Sequence, residues 1–213
     1  LPRESAVQRS MALWVPVALM GAWEAAARFE ALNPLFFPPP SQTVVSAVRL
    51  TVSGELPVLA AATMGRAFTG FTAGALLGLV TGALMGEVAA LRRLLEPTFS
   101  ALYSAPKLTF FPMLLLLLGV GEPARVAVVV IGTFLLVVMQ VYDAVRSIDR
   151  GYVEMAANHG ASRWMIFRRV YLPASLPQVF TALRIAFGRA LVLTVSVELL
   201  TTPLADHLQE LGI

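Results

Sequence analysis

Residues 67–86 read AFTGFTAGALLGLVTGALMG, a run of twenty positions without a charged side chain between Arg66 and Glu87. A helix of about 20 apolar residues is long enough to cross the hydrocarbon core of a bilayer. Glycine recurs in this run at every fourth position, at Gly70, Gly74, Gly78, Gly82 and Gly86. Residues four apart share one strip of a helix, and in lipid a strip without side chains lets two helix backbones pack closely. The run therefore predicts a membrane helix packed at the centre of a bundle.

The composition of the whole chain also favours a membrane protein. Of 213 residues, 57% are hydrophobic and 14% are charged, whereas an average soluble domain is about 25% charged. One soluble core could not bury so many apolar side chains, which excludes a soluble enzyme as the default. The chain has no cysteine, and its two histidines, His159 and His207, lie far apart, so we predict no metal site.

Four further apolar stretches predict four further membrane helices, at residues 11–27, 97–121, 126–142 and about 175–200. The first stretch could instead be a signal peptide, because Arg9 precedes it and three alanines end it. Glu24, just before the cleavage site that a signal peptide would need, favours a retained anchor. We predict an all-α polytopic membrane bundle, a single transmembrane domain over residues 1–213 with five transmembrane helices.

The basic residues predict the orientation of these helices. Basic residues outnumber acidic ones by 16 to 13, but they stand singly or in pairs between apolar runs, a pattern that reports membrane topology and not nucleic-acid binding. With a cytoplasmic N-terminus, ten basic residues fall in inside segments and four in outside segments. The inside set is Arg3, Arg9, Arg92, Arg93, Lys107, Arg146, Arg150, Arg163, Arg168 and Arg169, and the outside set is Arg28, Arg49, Arg66 and Arg125.

A proline run separates the first two predicted spans. Pro38, Pro39 and Pro40 force an extended backbone, and Ser41 is placed to cap a short helix whose apolar side chains include Val44 and Val48. We expect this helix to lie flat on the outer surface. The alternative is a plain linker.

Residues 149–173, DRGYVEMAANHGASRWMIFRRVYLP, form the most informative loop. Asp149 is placed to cap a short helix, Gly160 to end it in the left-handed conformation, Ser162 to cap a second helix and Pro173 to end that one. In the second helix, aromatic residues alternate with arginines, which suits a helix at the border of lipid and cytoplasm. The loop therefore predicts a helix, a glycine turn and a helix.

This loop resembles the signature of the inner-membrane permeases of binding-protein-dependent ABC importers: E-A-A, three residues, G, nine residues, I, one residue, L-P. The matching positions are Glu154, Met155, Ala156, Gly160, Val170, Leu172 and Pro173, with Met155 in place of Ala and Val170 in place of Ile. Similarity extends from residue 39 to residue 198, and it is to the branch that imports nitrate, sulfonates and taurine. That branch ends in a glycine-rich segment and a sixth helix, and residues 201–213 depart from this pattern.

The resemblance implies that a partner subunit supplies the energy for transport from ATP. The chain contains no G-x-x-x-x-G-K-[ST] phosphate loop, so a separate ABC ATPase subunit would hold ATP and magnesium, and this chain would need no cofactor of its own. The ATPase would dock on the cytoplasmic coupling loop, residues 143–173. Within it Gly160 would set the angle between the helices, and Glu154 would form a local hydrogen bond. The coupling residues implied are Glu154, Met155, Ala156, Ala157, His159, Gly160, Ala161 and Ser162.

The resemblance also implies the other partners. A second permease subunit, in a homodimer, would complete the pathway, and an extracytoplasmic binding protein would deliver a small solute, anionic if it is like nitrate, sulfonates or taurine. The location implied is the bacterial inner membrane, with lipid around a multi-pass chain. We expect His159 to be a surface residue and not a proton switch.

Four charged residues within the predicted spans are candidates for the translocation pathway, because charges are costly inside a membrane. They are Lys107, Arg184, Arg189 and Glu198. Arg184 and Glu198 fall within about 40° of one helical face and Arg189 lies on another side. We expect Arg66 to extend outward towards water. The alternative for each is a structural role, in which the charge caps carbonyl groups or pairs between helices.

Two other functions fit the sequence less well. An ion-coupled secondary transporter should show inverted repeats with interrupted half-helices. The sequence has no convincing repeat, and this function leaves residues 149–173 unexplained. An intramembrane enzyme would need a nucleophile with its base, or a metal cluster, and neither is apparent.

Overall fold

The structure is a computed structural model that describes residues 6–29, 31–33 and 36–210. Helices account for most of them, and no strand occurs in these ranges, which confirms the predicted all-α class for the described residues. The helices are α1 (Ala6–Arg28), α2 (Pro40–Val52), α3 (Glu55–Glu87), α4 (Ala89–Ser104), a 3-10 turn (Lys107–Phe110), α5 (Phe111–Leu118), α6 (Glu122–Arg146), α7 (Arg150–Asn158), α8 (Arg163–Ile166), a π turn (Phe167–Tyr171) and α9 (Leu172–Glu210).

Two of the described helices, α3 and α6, are each long and apolar enough to cross a membrane. They contain the predicted spans at residues 67–86 and 126–142. A third span is possible if α4 and the helix that follows it are counted as one broken crossing. The predicted spans within α1 and α9, and the sixth helix, stay predictions.

The span predicted at residues 97–121 is not one straight helix. The chain forms α4, which begins earlier, at Ala89, and then turns by 98° into the helical segment Lys107–Leu118. Pro106 causes the break, because the residue before a proline is pushed out of the helical conformation, and Ala105 is extended at φ −71° and ψ 144°. Pro112 lies in the first turn of α5, where its missing N–H is tolerated. Lys107 therefore lies at the corner of a broken helix.

The chain divides into two compact units, one that ends at Ala61 and one that begins at Ala62. In the first unit, the expectation that Ser41 caps α2 is wrong, because α2 begins at Pro40 and Ser41 lies inside it. The Ser41 backbone N–H donates to the Glu24 carboxylate at 2.9 Å, and its hydroxyl donates to the same carboxylate at 2.7 Å. Proline has no N–H, so the first donor that α2 offers is that of Ser41, and α1 supplies its acceptor.

In the second unit, the glycine strip of α3 lies against α6. A Cβ added at Gly74 would lie 2.6 Å from the Val130 carbonyl oxygen, and one at Gly82 would lie 2.7 Å from the Val138 carbonyl oxygen. The other three glycines of the strip face valine side chains of α6: Gly70 faces Val129, Gly78 faces Val137 and Gly86 faces Val145. Any side chain on this strip would separate the two backbones.

The other faces of α6 pack against three further helical segments. Phe134 meets Phe99 of α4 edge to face, with ring centroids 5.5 Å apart. Val128 and Val129 form a buried cluster with Phe111 of α5 and Val197 of α9. Because α6 is covered on most sides, it forms the core around which the second unit is built.

Candidate functional site

The loop after α6 begins with a capped helix. The Asp149 carboxylate accepts a hydrogen bond from the Gly151 N–H at 2.8 Å, as the sequence predicts, and α7 runs from Arg150 to Asn158. A capped first turn has one fewer unsatisfied donor and resists fraying. This short helix therefore has a defined start.

A glycine turn closes α7. Gly160 has φ +78°, the left-handed conformation predicted for it, and no atom beyond its chain neighbours lies within 4 Å of the position that a Cβ would take. The Gly160 N–H donates to the Ala157 carbonyl at 2.9 Å, and the Ala161 N–H donates to the Ala156 carbonyl at 3.1 Å. His159 is exposed, and its Nδ1 lies 2.8 Å from the Met155 carbonyl oxygen. Backbone and histidine together fix the end of α7.

The second arm of the loop does not end where the sequence predicts. Ser162 caps α8 as expected, accepting from the Met165 N–H at 3.3 Å. Pro173, however, does not end this helix, because a π turn, Phe167–Tyr171, carries the chain directly into α9. A π turn shifts the hydrogen-bond register, which accommodates the missing N–H of a proline inside a helix. The arm after Gly160 is thus joined to α9 without a break.

The elbow, defined here as residues 149–173, presents an exposed hollow of about 560 Å³. Met155 and His159 on one arm and Arg169 and Pro173 on the other line this hollow. Met155 keeps 60% of its surface exposed, a large fraction for an apolar side chain. The structure thus brings part of the predicted coupling set, Met155, Ala156 and His159, to one concave surface.

Glu154 lies on the other side of α7. It lines a polar cavity of about 290 Å³ together with Arg92, Arg146 and Arg150. Its carboxylate makes no hydrogen bond to any described residue, so the expected local hydrogen bond is wrong. The sequence pattern gave the position of Glu154 but not the basic residues around it, which come from α4, α6 and α7.

A second polar group, the Arg66 group, joins α3, α6 and α9 and consists of Arg66, Glu122, Glu198 and Thr63. The Arg66 guanidinium donates from Nε to the Glu122 carboxylate at 2.6 Å and from Nη1 to the Glu198 carboxylate at 2.7 Å. Thr63 also donates to Glu198, at 2.8 Å. The expectation that Arg66 extends outward did not include these partners, and the Arg66 side chain is 22% exposed while two carboxylates hold it. Sequence reasoning also missed Glu122 as a partner of Arg66. Its place as a charged residue at the start of the apolar helix α6 was a signal for such a polar contact.

The four pathway candidates separate in the structure. Glu198 belongs to the Arg66 group, and Arg184 is exposed on α9. Lys107, which is half-buried, and Arg189, which is exposed like Arg184, line one cavity of about 240 Å³, together with Gly132, Thr133 and Ser196. Thr133 carried no sequence signal, because a single threonine in an apolar helix is common. Among the described residues, no group of three or more His, Asp or Glu side chains is arranged to hold a metal ion.

The elbow, the Arg66 group and the cavity all lie within one match to a known protein family. The family described as binding-protein-dependent transport system inner membrane component matches residues 57–210. The chain belongs to this family. The resemblance seen in the spacing from Glu154 to Pro173 is thereby confirmed, as is the assignment to membrane transport.

Two relatives of this permease family come from Escherichia coli (strain K12). A protein named as an aliphatic sulfonates transport permease, SsuC, is 32% identical over 175 residues, which are 82% of this chain and 66% of the relative. The taurine transport system permease protein TauC is 28% identical over 200 residues, which are 91% of this chain and 72% of the relative. The chain thus spans about two thirds of the length of these relatives.

A solved structure shares the fold. A chain of the MetNI methionine ABC transporter, in an inward-facing crystal form, superposes with a TM-score of 0.57 and 22% sequence identity, covering 65% of this chain and 71% of that chain. This chain therefore shares the fold of a chain of that ABC transporter over 65% of its length.

Proposed function

We propose that this chain is the permease subunit of an ATP-driven importer, and that it forms the translocation pathway for a small solute delivered by a binding protein. The observation that carries this proposal is the elbow, whose two arms are capped on either side of a left-handed glycine and whose apolar residues are exposed within the family match. An exposed apolar patch is typical of a protein interface. The partner proposed for it is an ABC ATPase subunit, which would bind ATP and magnesium.

The shape of the elbow suggests how force would pass into the membrane. Both helix starts are capped and the turn between them is held by backbone hydrogen bonds, so the elbow would move as one piece. Its second arm continues through the π turn into α9. A displacement of α7 by the ATPase would therefore reach α9 directly, and α9 packs against α6. This is a lever of the kind that rigid-body transitions use.

The solute proposed is a small anion of the sulfonate type. Two relatives carry names that mention aliphatic sulfonates and taurine, and Lys107 and Arg189 place two positive charges at one cavity. We further propose a homodimer of this chain in a bacterial inner membrane, with a cytoplasmic N-terminus. The excess of basic residues on the predicted inner side supports this orientation.

The substitution Gly160→Asp tests the coupling role. A Cβ at φ +78° strains the backbone by roughly 1 kcal/mol, and Asp would also place a charge in the elbow. Gly54→Asp is a matched control, because Gly54 has φ +81° and equally free space but lies between α2 and α3. We expect both variants to reach the membrane in similar amounts, and only Gly160→Asp to lose ATP-dependent uptake of taurine into proteoliposomes.

Three results would overturn the proposal or the role that it gives to the elbow. Normal ATP-dependent uptake by the Gly160→Asp variant would remove the elbow from the coupling path. Uptake driven by a proton or sodium gradient without ATP would favour an ion-coupled secondary transporter. If both variants lost uptake equally, backbone strain and not the position in the elbow would be the cause, and the elbow would again lose its role.

A further inference from the structure

A cavity lies beside the break between α4 and α5. Its wall is formed by the 3-10 turn with Lys107, by Gly132 and Thr133 of α6, and by Arg189 and Ser196 of α9. Gly132 is the eleventh of the 25 residues of α6, so the cavity lies near the middle of a membrane-crossing helix. Most of the wall is apolar, and its volume of about 240 Å³ suits a small solute.

The cavity carries two positive charges and no acidic side chain in its wall. The Lys107 amine donates to the Tyr103 carbonyl and lies 4.7 Å from the centre of the Tyr103 ring, and neither group neutralises its charge. The Arg189 guanidinium has no ion pair or hydrogen bond with any described residue. Charges inside a membrane are normally paired with one another or exposed to a water-filled path. Two like charges at one cavity would attract an anion.

Thr133 packs between the cavity and α3, and its Cβ lies 2.8 Å from the position that a Cβ on Gly74 would take. It is 3% exposed, and its Oγ1 is buried without a hydrogen bond to any described residue. Threonine in a helix usually donates to the carbonyl four residues earlier, as Thr194 does to Ala190 at 2.9 Å on the facing helix α9. A buried donor without an acceptor is costly, so this hydroxyl is a weak point in the packing beside the cavity and not a contact within it.

The backbone at the break supports the interpretation that this cavity attracts an anion. Residues 105 and 106 leave the helical conformation, so backbone polar groups are freed within a segment that is otherwise apolar. Irregular backbone at membrane depth is tolerated where protein buries it or where it lines a polar cavity. Here the break places Lys107 and Leu108 in the cavity wall. Gly132 leaves room for Leu193, whose Cδ2 lies 2.7 Å from the position that a Cβ on Gly132 would take, and the Lys107 Cγ lies 3.6 Å from the same position.

We propose that this cavity is an anion-binding site on the translocation pathway, in which Lys107 and Arg189 hold a sulfonate-type head group. The apolar wall would contact a short carbon chain. The transport role of the site rests on the proposed function, but its preference for anions does not. An anionic lipid phosphate offers the same chemistry, so the test must separate the two sources.

The absence of cysteine from the sequence allows a direct test. A Ser196→Cys variant of the full chain, within its transporter complex in proteoliposomes of neutral lipid, places one thiol in the cavity wall. Its labelling is measured by intact mass with two methanethiosulfonate reagents, one carrying an ethylsulfonate and the other a trimethylammonium group. Ser53→Cys, on the exposed turn after α2, gives the reference ratio of the two rates. Leu193→Cys lines the same cavity and serves if Ser196→Cys fails to assemble.

We expect the anionic reagent to be favoured in the cavity by at least about fivefold over the Ser53→Cys reference, because two nearby positive charges attract it and repel the cation. Adding Lys107→Gln or Arg189→Gln should remove most of this preference. Arg184→Gln removes the same charge from the same helix, but Arg184 does not line the cavity, so the preference should remain. Ethanesulfonate should slow labelling, and ethylamine at the same concentration should not.

Three outcomes would overturn the proposal. One is a cavity thiol that shows no preference for the anionic reagent, and another is a cavity thiol that neither reagent reaches. The third is protection by phosphatidylglycerol in the bilayer without protection by ethanesulfonate, which would assign the site to lipid. Since labelling requires no transport, each of these outcomes can occur while the Gly160→Asp experiment still supports the importer.

Discussion

Two faces of α6 show opposite uses of small residues. On one face, the glycines of α3 bring two backbones together so closely that a single methyl group at Gly74 would collide with the Val130 carbonyl. On another face, Gly132 lines an open cavity with two positive charges, and Thr133 lies at the border, where it lines the cavity while its Cβ packs against Gly74. Small residues seal the first face and leave space at the second. The two faces differ in the helix that packs against them. The continuous helix α3 lies against the first face, and the broken helix that contains Lys107 lies against the second.

The largest expected effect on stability comes from adding a side chain to the glycine strip of α3, where it packs against α6. Gly74→Ala should lower the stability of the chain by about 1–3 kcal/mol, because the backbone carbonyl 2.6 Å from the new Cβ cannot move aside cheaply. Gly65→Ala is the matched control on the same helix, since nothing lies within 4 Å of its Cβ position. It should be neutral or stabilising by about 0.5–1 kcal/mol, because alanine favours helix. Thermal unfolding in detergent measures both changes, and equal shifts would contradict close packing at the strip.

A smaller effect is expected at the polar group near the start of α6. Arg66→Gln should cost about 1–3 kcal/mol, because it leaves Glu122 and Glu198 close together without their shared cation. Adding Glu198→Gln should recover part of the loss. In the Arg28–Glu24 pair the arginine side chain is 66% exposed, so Arg28→Gln should change the melting temperature little. Additive effects of Arg66→Gln and Glu198→Gln would show that the two side chains do not interact.

The smallest expected effect is at Thr133, at the border of the two faces, and it has the opposite sign. Thr133→Val keeps the shape of the side chain and removes a buried hydroxyl that lacks a partner, so the chain should become more stable by up to about 1 kcal/mol. Thermal unfolding in detergent measures the change. A fall in melting temperature would mean that the hydroxyl already has a partner.

The contrast between the two faces also explains what the sequence could predict. The glycine strip repeats every four residues and the elbow has its capping residues at helix ends, so both are encoded by neighbours in the chain. The cavity depends on a 98° turn at Pro106 that brings Lys107 towards Arg189, 82 positions later in the sequence (189 − 107 = 82). Helical periodicity within α9 grouped Arg184 with Glu198, but the partner of Glu198 is Arg66, on a different helix. Rotational arguments hold within a helix and say nothing about the neighbouring helix.

The continuation of the helix past Pro173 is another feature that the sequence did not predict. Proline usually ends a helix, and the sequence offered no signal that five residues before it would adopt a π turn. The consequence is functional, because a break at Pro173 would have separated the elbow from α9. The continuous path is what makes the elbow a lever in the proposed mechanism.

The central claim is that the elbow contacts an ATPase, and photo-crosslinking of the assembled transporter tests it most directly. A benzoyl-phenylalanine at Met155, which is 60% exposed on α7, is compared with one at Val52, which is 83% exposed at the end of α2. We expect the probe at Met155 to form a covalent product with the ATPase subunit, in a yield that changes when ATP is added, and the probe at Val52 to form none. A product with the ATPase from Val52 and none from Met155 would contradict both the proposed docking surface and the proposed orientation of the chain in the membrane.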